Sequence, residues 1–227
     1  MIRSVLFDTE TTGLDPLTGD RVLEVAALEL INDLPTGQHF HALIDPRRDI
    51  PSDATRIHGI TNAHVNGKPL FEAIAAGLLA FFGDGKLIAH NAPFDFGFLN
   101  AEFSRIGLPS LASTRMVDTL ILAKQRFPGM PNSLDALCRR FNIDLTARTT
   151  HNALLDCKLL ADVYVELTGG RQRGLSLAAN RGRSNLAVYT HAANRTPHLF
   201  QPSPAELAAH DAFVGLLKDP VWRAPPD

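Results

Sequence analysis

Cysteine is nearly absent from this 227-residue chain: only Cys138 and Cys157 occur, both in stretches with helical patterning. Two such cysteines make no disulfide framework, and a reducing cytoplasmic setting is the expectation. No run approaches the roughly 20 apolar residues needed to cross a bilayer, so no transmembrane segment and no membrane partner are expected. The opening Met1-Ile2-Arg3-Ser4-Val5-Leu6-Phe7 runs straight into a strand pattern and lacks the small-residue cleavage site of a signal peptide. Acidic residues are missing altogether between Leu167 and Ala205, where Arg171, Arg173, Arg181, Arg183 and Arg195 accumulate.

What is there is a globular balance, with 45% hydrophobic and 20% charged residues. The formal net charge of −2 argues at first sight against a polyanionic partner. It divides unevenly, however: residues 1–168 carry −5 and residues 169–227 carry +3. An acidic domain remains compatible with phosphate chemistry if some of its carboxylates hold divalent cations, which then face the phosphate.

The pattern along the chain predicts strands over 3–9, 22–31 and 38–44, joined by short polar links as in an antiparallel meander. Phe71, Ile74, Ala75, Leu78, Leu79 and Phe82 recur at helical spacing. Leu87-Ile88-Ala89 reads as a short buried strand, followed by a helix from Pro93 to about Ile106. Met116–Leu122 reads either as a strand or as the start of a helix. Ser133–Phe141 reads as a short helix capped by Ser133, and Asn152–Leu167 as a long one stopped by Gly169-Gly170. The fold class expected is α/β, a mixed sheet flanked by helices. The domain expectation is 1–170 for this body, a flexible basic linker over 171–203, and a C-terminal segment 204–227 with a short amphipathic helix offering Leu207, Val214 and Leu217.

Four carboxylates in three places carry the chemistry. Asp8 and Glu10 are i and i+2 on a strand and project from one face where the strand ends. Two acids there are costly unless something neutralises them. In His90-Asn91-Ala92-Pro93-Phe94-Asp95, Asp95 falls in the first turn of a helix. In His151-Asn152-Ala153-Leu154-Leu155-Asp156, Asn152 is the expected N-cap, Asp156 lies in the first turns, and His151 sits in the loop before them. Each piece alone reads more readily as surface polarity or an ordinary helix-start acid. Together they form an oxygen-only ligand set suited to Mg²⁺ or Mn²⁺, and a pair of such ions can cleave phosphodiesters. A histidine near its working pH can take a proton from the attacking water. Asp118 reads as structural, since the four-acid set is complete without it.

These three segments, beginning with Asp8-Thr9-Glu10-Thr11-Thr12-Gly13-Leu14, resemble in order and spacing the exonuclease motifs of the DEDDh (DnaQ-like) 3′→5′ exonucleases, over about residues 3–170. The resemblance implies a ribonuclease-H-like fold with a five-stranded sheet. It implies Asp8, Glu10, Asp95 and Asp156 as ligands of two Mg²⁺ or Mn²⁺ ions and His151 as general base. It also implies that Thr11, Thr12 and Leu14 line the terminal-nucleotide site, with Asp53 and His58, beside Ile57-His58-Gly59-Ile60, as further substrate contacts.

Within the family, Ser133–Phe141 and Leu167-Thr168-Gly169-Gly170 resemble the proofreading epsilon subunits of bacterial DNA polymerase III. That likeness implies a DNA 3′ end as substrate and the polymerase alpha subunit as partner, with a small accessory subunit as another. Gln172-Arg173-Gly174-Leu175-Ser176-Leu177 resembles a sliding-clamp-binding peptide, with Gln172, Leu175 and Leu177 as anchors; an ordinary linker is the plain alternative. Ala205–Asp211 and Trp222 resemble the segment that attaches such subunits to the polymerase; packing back onto its own domain is the alternative there. Two rival functions stand beside this one. A stand-alone exonuclease for RNA ends or repair intermediates would have no use for a docking helix. A catalytically dead binding module is disfavoured by the presence of all four acids and the histidine.

Overall fold

The computed structural model describes residues 1–146, 148, 150–169, 201–218 and 220. Two compact units divide the chain at Leu175/Ser176. The first is built on a five-stranded sheet of order β3-β2-β1-β4-β5. Its strands are β1 (Arg3–Thr11), β2 (Val22–Ile31), β3 (Leu34–Leu43), β4 (Lys86–Ala89) and β5 (Met116–Asp118). The meander β1–β2–β3 is antiparallel, while β4 joins β1, and β5 joins β4, in parallel. This is the mixed sheet of the expected fold. Its helices are α1 (Ser52–His58), α2 (Asn62–Val65), α3 (Phe71–Phe82), α4 (Ala92–Arg105), α5 (Thr119–Arg126), α6 (Leu134–Arg140) and α7 (Ala153–Leu167).

Strand alternation sorts β1 between two cores. Val5 and Phe7 point into one core with Phe71, Leu78 and Phe82 of α3 and Phe96, Leu99 and Phe103 of α4. Leu6 points the other way, with Ala26, Leu28, Leu30 and Ile88, against Leu137, Cys157, Leu160 and Val163 of α6 and α7. A third, small cluster joins Leu23 to Ile50, Ala54, Ile60 and Val65 under α1 and α2. Both cysteines are free and buried.

Several boundaries differ from the sequence expectation. β1 continues two residues past Thr9, because its pairing with β2 persists to Thr11 through a register shift after Glu10. Met116–Leu122 holds both candidates: three residues pair with β4, then Asp118 accepts from Leu120 N at 2.9 Å and starts α5. Helices α1 and α2 were not anticipated; both are short and lack an apolar stripe, which leaves no periodicity to read.

The second unit contributes α8 (Pro204–Gly215), capped by the reciprocal Ser203–Glu206 box. Leu207 and Phe213 on it, and Leu216 just after it, are exposed. The anchors Gln172, Leu175 and Leu177, the linker and Trp222 lie outside the described residues. Among the described residues, no helix is long and apolar enough to cross a membrane.

Candidate active site

The parallel pairing of β1 with β4 stops at Leu6↔Ile88, so the end of β1 runs on without a neighbour on that side. Asp8 and Glu10 leave this overhang on the face turned to α7, where Asp156 is buried. Between them, Thr9 faces the opposite way. Its backbone N–H and hydroxyl donate to Asp95 Oδ1 at 3.0 and 2.7 Å, locking α4's first turn to the strand. The ends of β1 and β4 and the starts of α4 and α7 thus bring the four carboxylates together at the carboxyl edge of the parallel strands, where open α/β sheets place their ligands.

The entry to α4 is held by Asn91, which takes the left-handed conformation (φ 64°) at the N-cap. Its N–H donates to Asp118 Oδ1 at 3.0 Å. Asp118 thus joins α5's cap to the turn that presents Asp95. At α7, Asn152 caps as expected, its side chain accepting from Leu155 N at 3.0 Å.

His151 lies in the loop before α7, half exposed, with Nδ1 3.4 Å from Asp156 Oδ2. Ligand atoms of Glu10, His151 and Asp156 lie within 4.8 Å of one another. Arg148, unforeseen in the sequence, forks onto Asp156: Nε to Oδ1 at 2.5 Å and Nη2 to Oδ2 at 2.7 Å. It also reaches Asp135, and its Nη2 lies 3.0 Å from His151 Nδ1. Arg148 stands in a loop without local pattern, which left no signal to find it.

The electrostatics favour positive charge. Desolvation, then the neighbouring Asp95 and Glu10, raises Asp8 well above the usual carboxyl range. Burial, with Asp156 and Glu24 next, pushes Glu10 up to about 8. Burial raises Asp95 to about 7 against the Thr9 hydrogen bonds, which pull it down. Burial would raise Asp156 too, but the Arg148 and His151 hydrogen bonds outweigh it and hold the carboxyl low. Three crowded oxygen donors that resist ionisation in a cation's absence fit a divalent metal.

A pH dependence follows. Asp8, Glu10 and Asp95 bind protons more tightly in the folded state, so raising the pH pulls toward the unfolded chain. For Glu10 and Asp95 the loss starts above their ordinary values, 4.5 and 3.8, and runs through about 8 and 7. Asp156, shifted the other way, acts only in the acid range. With chelator present, the thermal midpoint is expected to fall by several degrees from about pH 5 to about pH 8.5, and Mn²⁺ is expected to restore it most at the alkaline end. Differential scanning fluorimetry checks this; a chelated midpoint that rises over that range contradicts it.

Two clefts share the end of β1 as a wall. One, of about 420 Å³, is lined by Thr9–Leu14, Asp53, Ile57, His58 and Phe94. Thr11, Thr12, Leu14, Asp53 and His58 are thus gathered in it. The Thr11 and Thr12 hydroxyls are engaged within the loop, on Gly13 O at 2.6 Å and Asp20 Oδ1 at 3.3 Å. Gly13 permits that turn: a Cβ there would lie 2.1 Å from Asp20 Oδ2. Leu14 and Ile57 are exposed and Phe94 adds a ring, giving the cleft an apolar wall. His58 Nδ1 accepts from Ile60 N at 2.9 Å, while its buried Nε2 meets no hydrogen-bond geometry among the described residues, the Thr11 backbone being its polar neighbour. The other cleft, of about 600 Å³, holds Asp8, His90, Arg148, His151 and Asp156. Asp95, 3% exposed, lines neither cleft.

Residues 5–164 match the RNase_T family, described as "Exonuclease". The chain belongs to this exonuclease family, whose members are of the kind that use divalent metals. Within it, the chain groups with the DNA polymerase III epsilon subunits. It is 45% identical to "DNA polymerase III subunit epsilon" of Rickettsia felis over 222 residues, covering 95% of this chain and 97% of the relative. The Rickettsia conorii protein of the same name is 44% identical, covering 95% and 96%. Among solved structures, "Exonuclease X in complex with 5' overhanging duplex DNA" superposes with a TM-score of 0.58 at 28% identity, covering 74% of this chain and 91% of that one.

Proposed function

We propose that this chain removes nucleotides from DNA 3′ ends by metal-dependent phosphodiester hydrolysis, proofreading as the epsilon subunit of a bacterial DNA polymerase III. The observation that carries the reading is the convergence of Asp8, Glu10, Asp95 and Asp156, from three chain segments, beside an apolar cleft. In this reading the four acids hold two Mg²⁺ or Mn²⁺ ions. Bound there, the ions supply positive charge against the attacking and leaving oxygens of the phosphodiester. His151 takes a proton of the attacking water as the new P–O bond forms and the P–O3′ bond breaks; the departing O3′ gains a proton from solvent, giving a nucleoside 5′-monophosphate and a new 3′ hydroxyl.

The cleft lined by Thr11, Thr12, Leu14, Asp53, Ile57, His58 and Phe94 receives the terminal nucleotide. Its apolar wall offers a face for any base, and His58 Nε2 supplies a buried polar atom where a nucleotide oxygen or nitrogen is to be met. One nucleotide fits only when splayed from its partner, so a mispaired end, which frays at lower cost, is favoured without base reading. In the tail, α8, with Leu207 and Phe213 exposed, docks on the polymerase alpha subunit. Gln172, Leu175 and Leu177 engage the sliding clamp, and a small accessory subunit completes the assembly.

Primer–templates with a matched or a mismatched 3′ end, and an RNA oligonucleotide of the same sequence, test the substrate. Faster trimming of the mismatched DNA is expected. Rapid trimming of RNA with DNA untouched moves the reading to RNA processing.

A further inference from the structure

Glu24 stands outside the four-acid set yet is enclosed beside it, 1% exposed. β2 places it opposite Glu10, on the face turned to α7. Its carboxylate is fully engaged. Oε1 accepts from Asn152 Nδ2 at 3.1 Å and lies 2.6 Å from His41 Nε2. Oε2 accepts from the Ala153 backbone N–H at 3.1 Å. Asn152 and Ala153 are the cap and the first residue of α7. The partners of Glu24 are the start of α7 and a histidine of β3, and that place in the fold points to a positioning part.

The start of α7 controls two groups at once. His151 is the residue before the cap, and Asp156 closes the first turn by donating its N–H to Asn152 O at 2.8 Å. His151 N donates to Ile57 O at 3.1 Å, on the far side of the loop. A shift of Asn152 and Ala153 therefore moves His151 and Asp156 together. A negative side chain against free N–H groups at a helix start is also favourable in itself.

We propose that Glu24 is a positioning residue for the hydrolytic site: reaching across from the sheet, it clamps the start of α7 and fixes the directions of His151 and Asp156. This rests on the reading of Asp156 as metal ligand and His151 as base. Glutamine at position 24 keeps the shape but brings an amide NH₂ into a site where Asn152 and Ala153 already donate, so one donor loses its acceptor. Residues that hold metal ligands in place are worth roughly 10- to 100-fold in affinity or activity.

The test compares full-length wild type, Glu24→Gln and Asp8→Ala. Expected for Glu24→Gln are Mn²⁺ affinity and kcat on single-stranded DNA lower by about 10- to 100-fold, an unchanged KM for the oligonucleotide, and faster amide exchange at 153–156 in the metal-free protein. Wild-type kcat and Mn²⁺ affinity, or a kcat that falls only with the folded fraction, would overturn the proposal. If Glu24→Gln does not fold, Asn152→Ser decides, because serine still caps the helix but removes the amide that Glu24 holds. A lowered kcat at an unchanged thermal midpoint supports the clamp, and wild-type kcat overturns it. Full activity in Asp8→Ala would instead remove the underlying reading of the site.

Discussion

Asp8→Ala is expected to abolish hydrolysis while leaving a folded and, in chelator, more stable protein. Asp8 stands where β1 overhangs the sheet, and burial together with Asp95 and Glu10 raises its pKa. The carboxyl opposes the fold whenever it is ionised without a counter-charge, so its removal relieves repulsion. Its contribution lies in the chemistry. Metal stabilisation of the developing charge is worth several kcal/mol, and each ~1.4 kcal/mol is tenfold in rate, so a loss on the order of a thousandfold or more is expected. Single-turnover hydrolysis of single-stranded DNA, with circular dichroism and a melting curve on the same preparation, measures both halves. A folded variant with near wild-type rate would remove Asp8 from the metal site.

His151→Ala is expected to slow the chemical step by about 10²- to 10⁴-fold, the usual contribution of a positioned proton acceptor, and to spare Mn²⁺ binding. His151 is half exposed and tied by its backbone to Ile57, so the substitution leaves no buried cavity. Its ring lies against Asp156 and Arg148. Single-turnover rates at saturating Mn²⁺, compared with calorimetric Mn²⁺ titration, separate the two effects. An unchanged rate contradicts the role of base; a rate that recovers fully with more Mn²⁺ makes His151 a ligand instead.

Much of this site was legible because its main parts obey local rules. Asp8 and Glu10 share a face by strand alternation, and Asp95 and Asp156 fall in first helical turns behind Asn91 and Asn152. The long helices α3, α4 and α7 were readable for the same reason, having apolar stripes or good caps. Parts defined by partners distant in sequence were not readable. Thr9 interposes between two acids, and only the tertiary packing of α4 shows that it holds Asp95. Arg148 lies in a patternless loop and meets Asp156 through space. Glu24 did leave a trace: one acid inside Val22-Leu23-Glu24-Val25-Ala26, a run buried on both faces, requires a polar partner. What that partner was depended on where α7 began.

The central claim is that these acids serve metal-dependent removal of nucleotides from the 3′ end. A 5′-labelled single-stranded DNA incubated with Mn²⁺ or Mg²⁺, with and without EDTA, tests it most directly. The account predicts a descending ladder of labelled products, shortened one nucleotide at a time, that disappears with EDTA. Immediate release of labelled mononucleotide, internal cuts without a ladder, or a ladder that persists in EDTA would contradict it.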